Sequence, residues 1–299
     1  MKPFKKAAMK ISRPLSFLII FLIYAAATAV GLSVFFLRPV SSDLWNLFLA
    51  DAAATVFVWL WGLVFRNVSV YDPYWSVAPP VLLTTCAIAW GSATLPSRLL
   101  LAAVWIWAVR LTANWACTFR GMEHEDWRYT KYRNEKSPAV FQIINFFGLN
   151  MMPTVVVFLC MLPGILLLRD GSSAAGPLTW AGFTLCIAAV ALQLASDTQS
   201  HNFRKLHRGE VCMVGLWHYG RHPNYLGEIL FWWGIWLMYV SIAGIKEAPY
   251  MIAGPVLMTC MFRFISVPLM EHRQLATKPG YASYMETTGM FLRFKLKKK

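Results

Sequence analysis

The stretch GLWHYGRHPNYLGEILFWWGIW, residues 215–236, decides the fold because its character changes halfway along. Its first half is polar and aromatic, whereas its second half has the apolar composition of a membrane-crossing helix. The junction between the halves therefore indicates a membrane surface. Glu228 lies one helical turn inside this junction, on the face of Asn224. A carboxylate at that depth is costly, which leaves two interpretations: a charge snorkelling from a helix end, or a polar site for a water-soluble ligand.

The composition excludes an ordinary water-soluble globular chain. Hydrophobic residues make up 58% of the 299 positions and charged residues only 14%, so the sequence predicts an all-α, polytopic transmembrane helical bundle. The net charge of +14 does not indicate a nucleic-acid partner, because the basic residues are confined to short loops and the two tails. The six cysteines are widely spaced without a C-x-x-C pair, so we expect core thiols and neither disulfides nor a metal site.

The apolar segments predict about eight membrane spans. The first follows a basic tail and is interpreted as a retained signal-anchor helix, and each of the others is near the ~20 residues that cross a bilayer core. We expect an N-terminal segment over residues 1–45 and a membrane domain over residues 46–299. The predicted spans are 15–37, 45–65, 76–95, 98–119, 139–168, 177–198, 226–245 and 248–268.

The positions of lysine and arginine predict the orientation, because cytoplasmic loops hold the excess. With loops assigned alternately to the two sides, 22 of the 28 basic residues fall on one side and four on the other, and two lie within helices. Both termini are therefore predicted to face the cytoplasm. The membrane would be the endoplasmic reticulum in a eukaryote and the inner or plasma membrane in a bacterium.

The turn NVSVYDPYWS, residues 67–76, places a carboxyl group among aromatic side chains at a membrane surface. One interpretation is that Asp72 caps the next helix while the aromatics form an interfacial belt. The other is that Asp72 is held beside Tyr71 and Tyr74 with a raised pKa and donates a proton in catalysis.

A buried arginine and a basic loop are the remaining polar candidates. Arg110 lies too far inside the fourth span to snorkel, so we expect it to face a buried carboxylate or a bound phosphate. Residues 196–210 contain Asp197 and Arg204; this loop either attracts anionic lipid or clamps a phosphate-bearing cofactor. The sequence contains neither G-x-G-x-x-G nor a P-loop motif, so a nucleotide would have to bind in the membrane domain's own polar mouth.

Several of these stretches together resemble one family. They are YDPYWS at 71–76, Arg110-Leu-Thr with EDWRY at 125–129, SDTQ at 196–199, GLWHYGRHPNYLGE at 215–228 and PGYASY at 279–284. Over about residues 51–295 the chain is similar to the steroid 5-alpha-reductase-like membrane reductases, and within them to the DUF1295 branch. The resemblance implies a seven-helix reductase core with one added N-terminal helix. It also implies that NADPH reduces a carbon–carbon double bond conjugated to a ketone in a lipid such as a steroid.

The resemblance also implies roles for individual residues. Asp72 matches the carboxylate that faces the substrate ketone. Where the family's second carbonyl-facing residue is a tyrosine, this chain has Trp107, whose indole donates only an N–H. Either Tyr71 or Tyr74 then takes that role, or the substrate is not a steroidal enone. The residues that the resemblance assigns to the cofactor are Arg110, Asp197, Arg204, Arg221, Asn224, Tyr225, Glu228 and Arg263.

Two other functions remain open at this point. A membrane methyltransferase of the isoprenylcysteine or phospholipid type shares an RHP-x-Y element and binds S-adenosylmethionine, but those enzymes usually carry a paired Glu-Glu near the last helix, where this chain has Glu271 followed by His272. A non-enzymatic lipid-binding protein is the second alternative, and cofactor binding separates it from the enzymes. The expected partners are a lipid substrate and membrane lipids; the sequence leaves the oligomeric state open.

Overall fold

The computed structural model describes residues 11–171, 174–246 and 248–292, and within those ranges the regular structure is helical throughout, without a strand. The prediction of an all-α polytopic membrane protein is confirmed. The α-helices are α1 Arg13–Leu37, α2 Asp43–Phe65, α3 Tyr74–Ala89, α4 Leu95–Thr118, α5 Trp127–Glu135, α6 Pro138–Ile143, α7 Met152–Asp170, α8 Pro177–Leu206, α9 Leu216–Tyr219, α10 Pro223–Ala243, α11 Ala253–Met261, α12 Val267–Thr277 and α13 Tyr281–Thr287. Two π-helical segments, Ile144–Met151 and Phe262–Ser266, connect α6 to α7 and α11 to α12.

Seven helical segments in the described residues are long and apolar enough to cross a membrane. The remaining predicted span, 76–95, corresponds to α3, which has only 16 residues and contains Pro79 and Pro80. At 1.5 Å per residue, such a helix is about 24 Å long, shorter than a bilayer core of about 30 Å. Two termini on the same side of a membrane need an even number of crossings, so their predicted cytoplasmic location requires α3 to cross as well. That location stays a prediction. The seven segments are Arg13–Leu37, Asp43–Phe65, Leu95–Thr118, Pro138–Asp170, Pro177–Leu206, Pro223–Ala243 and Ala248–Thr277.

The chain divides into two compact units, a first unit of Met1–Leu82 with Leu111–Phe158 and a second unit of Leu83–Arg110 with Leu159–Lys299. In the first unit α1 packs closely on α2, since a Cβ added at Gly31 would lie 3.3 Å from the Ala50 carbonyl oxygen. The Tyr24 hydroxyl donates a 2.6 Å hydrogen bond to the Val70 carbonyl. The added N-terminal helix is therefore built into the core of the first unit. The predicted domain boundary after residue 45 stays a prediction.

The second unit is organised by the close approach of α8 and α10. A Cβ at Gly182 would lie 2.6 Å from the Gly234 carbonyl oxygen, and one at Gly227 would lie 2.8 Å from the Ala189 carbonyl oxygen. Small residues at such contacts allow helix backbones to approach within a membrane. The same packing brings the polar end of α8 against the first turns of α10.

Candidate functional site

The Arg110 side chain is the centre of a polar cluster in the second unit. It is 8% exposed and forms an ion pair with Asp197. Its second terminal nitrogen donates a 2.9 Å hydrogen bond to the Gln193 side-chain oxygen. Gln193 and Asp197 are four residues apart on α8 and therefore lie on one face. Of the two anions expected for Arg110, the structure supplies a buried carboxylate.

The Nε atom of Arg110 is buried and has no hydrogen-bond partner among the described residues. A buried donor without an acceptor typically costs about 1–3 kcal/mol, and such atoms are rare in folded proteins. The guanidinium is otherwise held at two points by Gln193 and Asp197. This geometry leaves one directed N–H without an acceptor in the part of the chain that the structure describes.

Asn224, in the first turn of α10, extends the cluster toward solvent. Its side-chain nitrogen donates a 3.1 Å hydrogen bond to Asp197, and its side-chain oxygen accepts a 3.0 Å bond from the Tyr225 backbone N–H. The Asp197 side chain is 18% exposed, so the cluster is reachable. Arg204, two turns further along α8, is exposed and adds positive charge near Asp197.

Glu228 lies at the inner end of the same cluster and is 4% exposed. Its carboxylate accepts hydrogen bonds from the indole of Trp107 at 3.0 Å, the indole of Trp232 at 2.9 Å and the Gln193 amide at 2.9 Å. Glu228 is therefore a buried carboxylate with several N–H donors, and it is linked to Arg110 through Gln193. These bonds suit a residue that positions the Arg110 guanidinium.

Trp107 stands where the resembled family has a tyrosine. It is fully buried, stacks on Phe231 with ring centroids 5.1 Å apart and meets Trp232 edge-on. Its indole N–H donates a hydrogen bond to Glu228, so Trp107 helps to hold the Glu228 carboxylate in place.

Arg221 and His222 are bound to the C-terminal part of the chain. Arg221 Nε donates a 2.7 Å bond to Glu271, and His222 lies 3.1 Å from the same carboxylate oxygen. The backbone N–H groups of both residues donate to the carbonyls of Gly289 and Met290, and the Arg221 guanidinium also donates to the Thr288 carbonyl. We call residues 220–222 the loop segment. Through these bonds, Arg221 and His222 hold the C-terminal segment, residues 288–292, against the loop segment, which precedes α10.

Of two further residues that the resemblance assigns to the cofactor, Tyr225 packs against the loop segment and Arg263 lies on another helical segment. Tyr225 stacks on His222, with ring planes 4° apart, and contacts Phe262 at 4.7 Å between ring centroids. Arg263 is exposed on a π-helical segment, and its guanidinium lies 5.4 Å from the Phe264 ring centroid. The structure therefore brings Arg110, Asp197, Asn224 and Glu228 together and places Arg221, Tyr225 and Arg263 in different contacts.

Asp72 belongs to a separate cluster in the first unit. Its carboxylate is partly buried and accepts a short hydrogen bond from the hydroxyl of Tyr129. Burial raises the pKa of Asp72 to about 6, against the opposing effects of the Arg128 charge and the Tyr129 hydrogen bond. A carboxyl group with this pKa keeps a protonated fraction near neutral pH.

The two other predicted catalytic residues have partners deeper in the first unit. The Tyr71 hydroxyl lies 2.7 Å from the Thr154 hydroxyl, and burial raises the pKa of Tyr71. The Tyr74 hydroxyl donates a 3.3 Å bond to Asp51. The rings of Tyr71 and Tyr74 are 5.5 Å apart between centroids. These phenols form a buried cluster next to the turn that carries Asp72.

Three residues of these clusters were not predicted as site residues from the sequence. Asp51 is a carboxylate inside an apolar span, 3% exposed, and its position alone was a signal, since intramembrane carboxylates are rare and have partners or functions. Gln193 precedes Asp197 by one turn on the same face. Tyr129 lies in a charged loop sequence, and nothing in that sequence signals that it binds Asp72.

The chemistry of the donors limits what can bind. The described residues contain no group of three or more His, Cys, Asp or Glu side chains that could hold a metal ion. The cluster in the second unit instead combines arginine and amide N–H groups with a reachable carboxylate. That set fits an organic anion bearing hydroxyl groups, such as a phosphorylated nucleotide.

Comparisons with known proteins identify the family of the chain. A family model described as "Protein of unknown function (DUF1295)" matches residues 58–288. An uncharacterized protein of Schizosaccharomyces pombe is 22% identical over 262 residues, covering 78% of this chain and 75% of the yeast protein. No solved structure matches.

Proposed function

The chain belongs to the DUF1295 family, and we propose that it is an integral membrane oxidoreductase that uses NADPH to reduce a conjugated carbon–carbon double bond in a lipid. The lipid is a steroid or another enone. The proposal assigns cofactor binding to the cluster around Arg110 in the second unit. It assigns proton donation to Asp72 in the first unit.

The observation that carries the proposal is the buried, unpaired Nε of Arg110. A phosphate or ribose oxygen of a nucleotide would accept this N–H and remove the cost of leaving it without a partner. Asn224 and Asp197 add a donor and an acceptor beside it, and Arg204 adds positive charge. Gln193 and Glu228 contribute by holding the guanidinium in place.

NADPH, when bound, supplies the hydride. The residues of the chain supply binding, orientation and the proton. Reduction of an enone leaves negative charge on the ketone oxygen, so a neutral acid near that oxygen stabilises the transition state more than the ground state. Asp72, with its pKa raised to about 6, holds the proton at its carboxyl group, and the Tyr129 hydroxyl is hydrogen-bonded to it.

The proposal is tested by ligand-dependent melting of the purified protein in detergent. NADPH, NADH and S-adenosylmethionine are titrated separately, because a ligand at 100 times its Kd stabilises the folded state by about 2.7 kcal/mol. We expect stabilisation by NADPH and a weaker effect of NADH, since Arg204, Lys205 and Arg208 offer charge to a 2′-phosphate.

Arg110→Lys should weaken the NADPH effect, because lysine lacks the Nε donor and the fixed fork of arginine. Arg98→Lys is the matched control, since Arg98 lies on the same helix and is exposed. Stabilisation by S-adenosylmethionine alone would replace the reductase by the methyltransferase alternative. Indifference to all three ligands would leave a non-enzymatic lipid-binding role.

A further inference from the structure

The first unit contains an apolar groove that the cofactor and proton-donor assignments do not use. It is formed by α1, the start of α3 and the second half of α4, and its volume is about 330 Å³. That volume lies at the lower end of the range for small-molecule sites, about 300–1,000 Å³. The lining residues are Phe17, Ile20, Phe21, Tyr24, Ala25, Thr28, Pro73, Val77, Thr112 and Trp115.

The groove is open along its α1 side. Phe21 is 68% exposed, and Ala25, one turn further along, is exposed as well. Both α1 and α4 are long and apolar enough to cross a membrane. With α1 and α4 crossing a bilayer, the exposed edge of the groove would face its hydrocarbon, and a lipid could enter sideways without passing through water.

The groove borders the turn that carries Asp72. Pro73, the residue after Asp72, lines the groove. Tyr24 also lines it, and its hydroxyl is bonded to the Val70 carbonyl in the same turn. A molecule lying in the groove thus passes beside the segment 70–73.

The lining also defines the chemistry of the occupant. None of the lining residues carries a charge, and the Thr112 hydroxyl is already hydrogen-bonded to Ser76 at 2.9 Å. An ionic headgroup would find no counter-charge among the lining residues, and burying it unpaired between them would be costly. The groove suits an uncharged, apolar body.

We propose that this groove binds the hydrocarbon body of the lipid substrate and that α1 is a specificity-determining helix. The proposal rests on the proposed function, because the substrate is the enone lipid reduced there. The family match begins at residue 58, so one wall of the groove comes from a helix outside the matched residues. Substrate preference would accordingly be set by α1.

The test uses a photoreactive sterol, a cholest-4-en-3-one derivative with a diazirine in its side chain, and the full-length protein in detergent. Cross-linked peptides are located by mass spectrometry. We expect labelling of α1 between residues 17 and 28 and competition by unlabelled cholest-4-en-3-one. Ala25→Trp should reduce labelling at least about tenfold by filling the groove. Ala29→Trp, exposed on the same helix but outside the lining, should leave labelling unchanged.

Kinetics give the second readout. Ala25→Trp should raise KM for the enone at least severalfold and leave the NADPH-dependent shift in melting temperature unchanged. If Ala25→Trp does not fold, Thr28→Leu fills the same groove with a smaller change. A diazirine phospholipid that labels α1 equally, without competition by the enone, would show that the groove holds bilayer lipid and would overturn the inference.

The two proposals fail in different ways. Labelling that survives Ala25→Trp and Thr28→Leu overturns the groove assignment even if NADPH-dependent reduction is intact. Absence of any NADPH effect, together with α1 labelling that Ala25→Trp abolishes, removes the reductase function and retains the groove as a sterol site.

Discussion

Asp72 in the first unit and Glu228 in the second are both hydrogen-bonded carboxylates, but their partners differ in kind. Glu228 accepts hydrogen bonds from two indoles and an amide, groups that donate through N–H and do not take up a proton. Asp72 is bonded to a phenol, which both donates and accepts. The difference indicates that Glu228 is a fixed acceptor that orders its neighbours, whereas Asp72 can exchange a proton.

The largest effect on turnover is expected when the proton-exchanging member of this pair, Asp72, is replaced. Asp72→Asn preserves the size of the side chain but removes its acidity, so turnover of an enone should fall by about 10²-fold or more. The NADPH-dependent shift in melting temperature should stay nearly unchanged, because a transition-state interaction is lost while cofactor contacts remain. Normal turnover by this variant on a confirmed enone substrate would make Asp72 a helix cap, and the proton donor would have to be Tyr71, Tyr74 or water.

The pH dependence sharpens the comparison. Since the pKa of Asp72 is raised to about 6, its acid form predominates below pH 6 and is depleted about tenfold for each pH unit above it. We therefore expect kcat/KM to be level below pH 6 and to fall about tenfold per unit above pH 6. Profiles recorded in detergent for the wild type and for Asp72→Asn provide the check. A similar limb at pH 6 in both proteins would assign that titration to another group.

Glu228→Gln tests the fixed acceptor. The new amide group places N–H donors among indole and amide donors, so at least one buried donor loses its partner at a cost of about 1–3 kcal/mol. We expect a lower melting temperature and weaker NADPH binding, because Gln193 no longer holds Arg110 in place. Glu210→Gln is the control, since the Glu210 side chain is 65% exposed. Unchanged stability and affinity in Glu228→Gln would mean that the carboxylate does not order the cluster.

The smallest expected effect concerns the partner of Asp72. Tyr129→Phe removes one hydrogen bond that lowers the pKa of Asp72, so the falling limb of the pH profile should move to higher pH. The lost bond itself should cost about 1 kcal/mol, or about fivefold in turnover. Tyr132→Phe, on the same helix, is the control. A loss in Tyr129→Phe as large as that in Asp72→Asn would identify the phenol itself as the proton donor.

The helical fold could be predicted from the sequence because apolar segments of about 20 residues determine it locally. The predicted span at 76–95 does not reach that length in the structure, because its helix begins at Tyr74 and ends at Ala89. Hydropathy identifies apolar stretches of sequence, but it does not show at which residue a helix ends. For the same reason the predicted span at 76–95 extended beyond the helix.

The candidate site was less accessible to sequence reasoning. The spacing of Asn224 and Glu228 placed both on one face of α10, and a buried partner was expected for Arg110; the ion pair with Asp197 supplies one. The partners that fix the chemistry are distant in the chain, however: Trp107 lies 121 residues before Glu228, and Tyr129 lies 57 residues after Asp72. Local patterns cannot reveal such pairs. Arg221 has the motif position of a ligand-binding arginine, but only tertiary contacts show its bond to Glu271.

The bonds between the C-terminal segment and the loop segment 220–222 also set an order of events during synthesis. Thr288, whose carbonyl binds Arg221, is added 67 residues after that arginine. At translation rates of roughly 5–20 residues per second, the delay is roughly 3–13 s. The helix that begins at Pro223 is complete well within that interval. The ribosome therefore delivers α10 to the membrane before the chain has made the residues that tie down the loop in front of it.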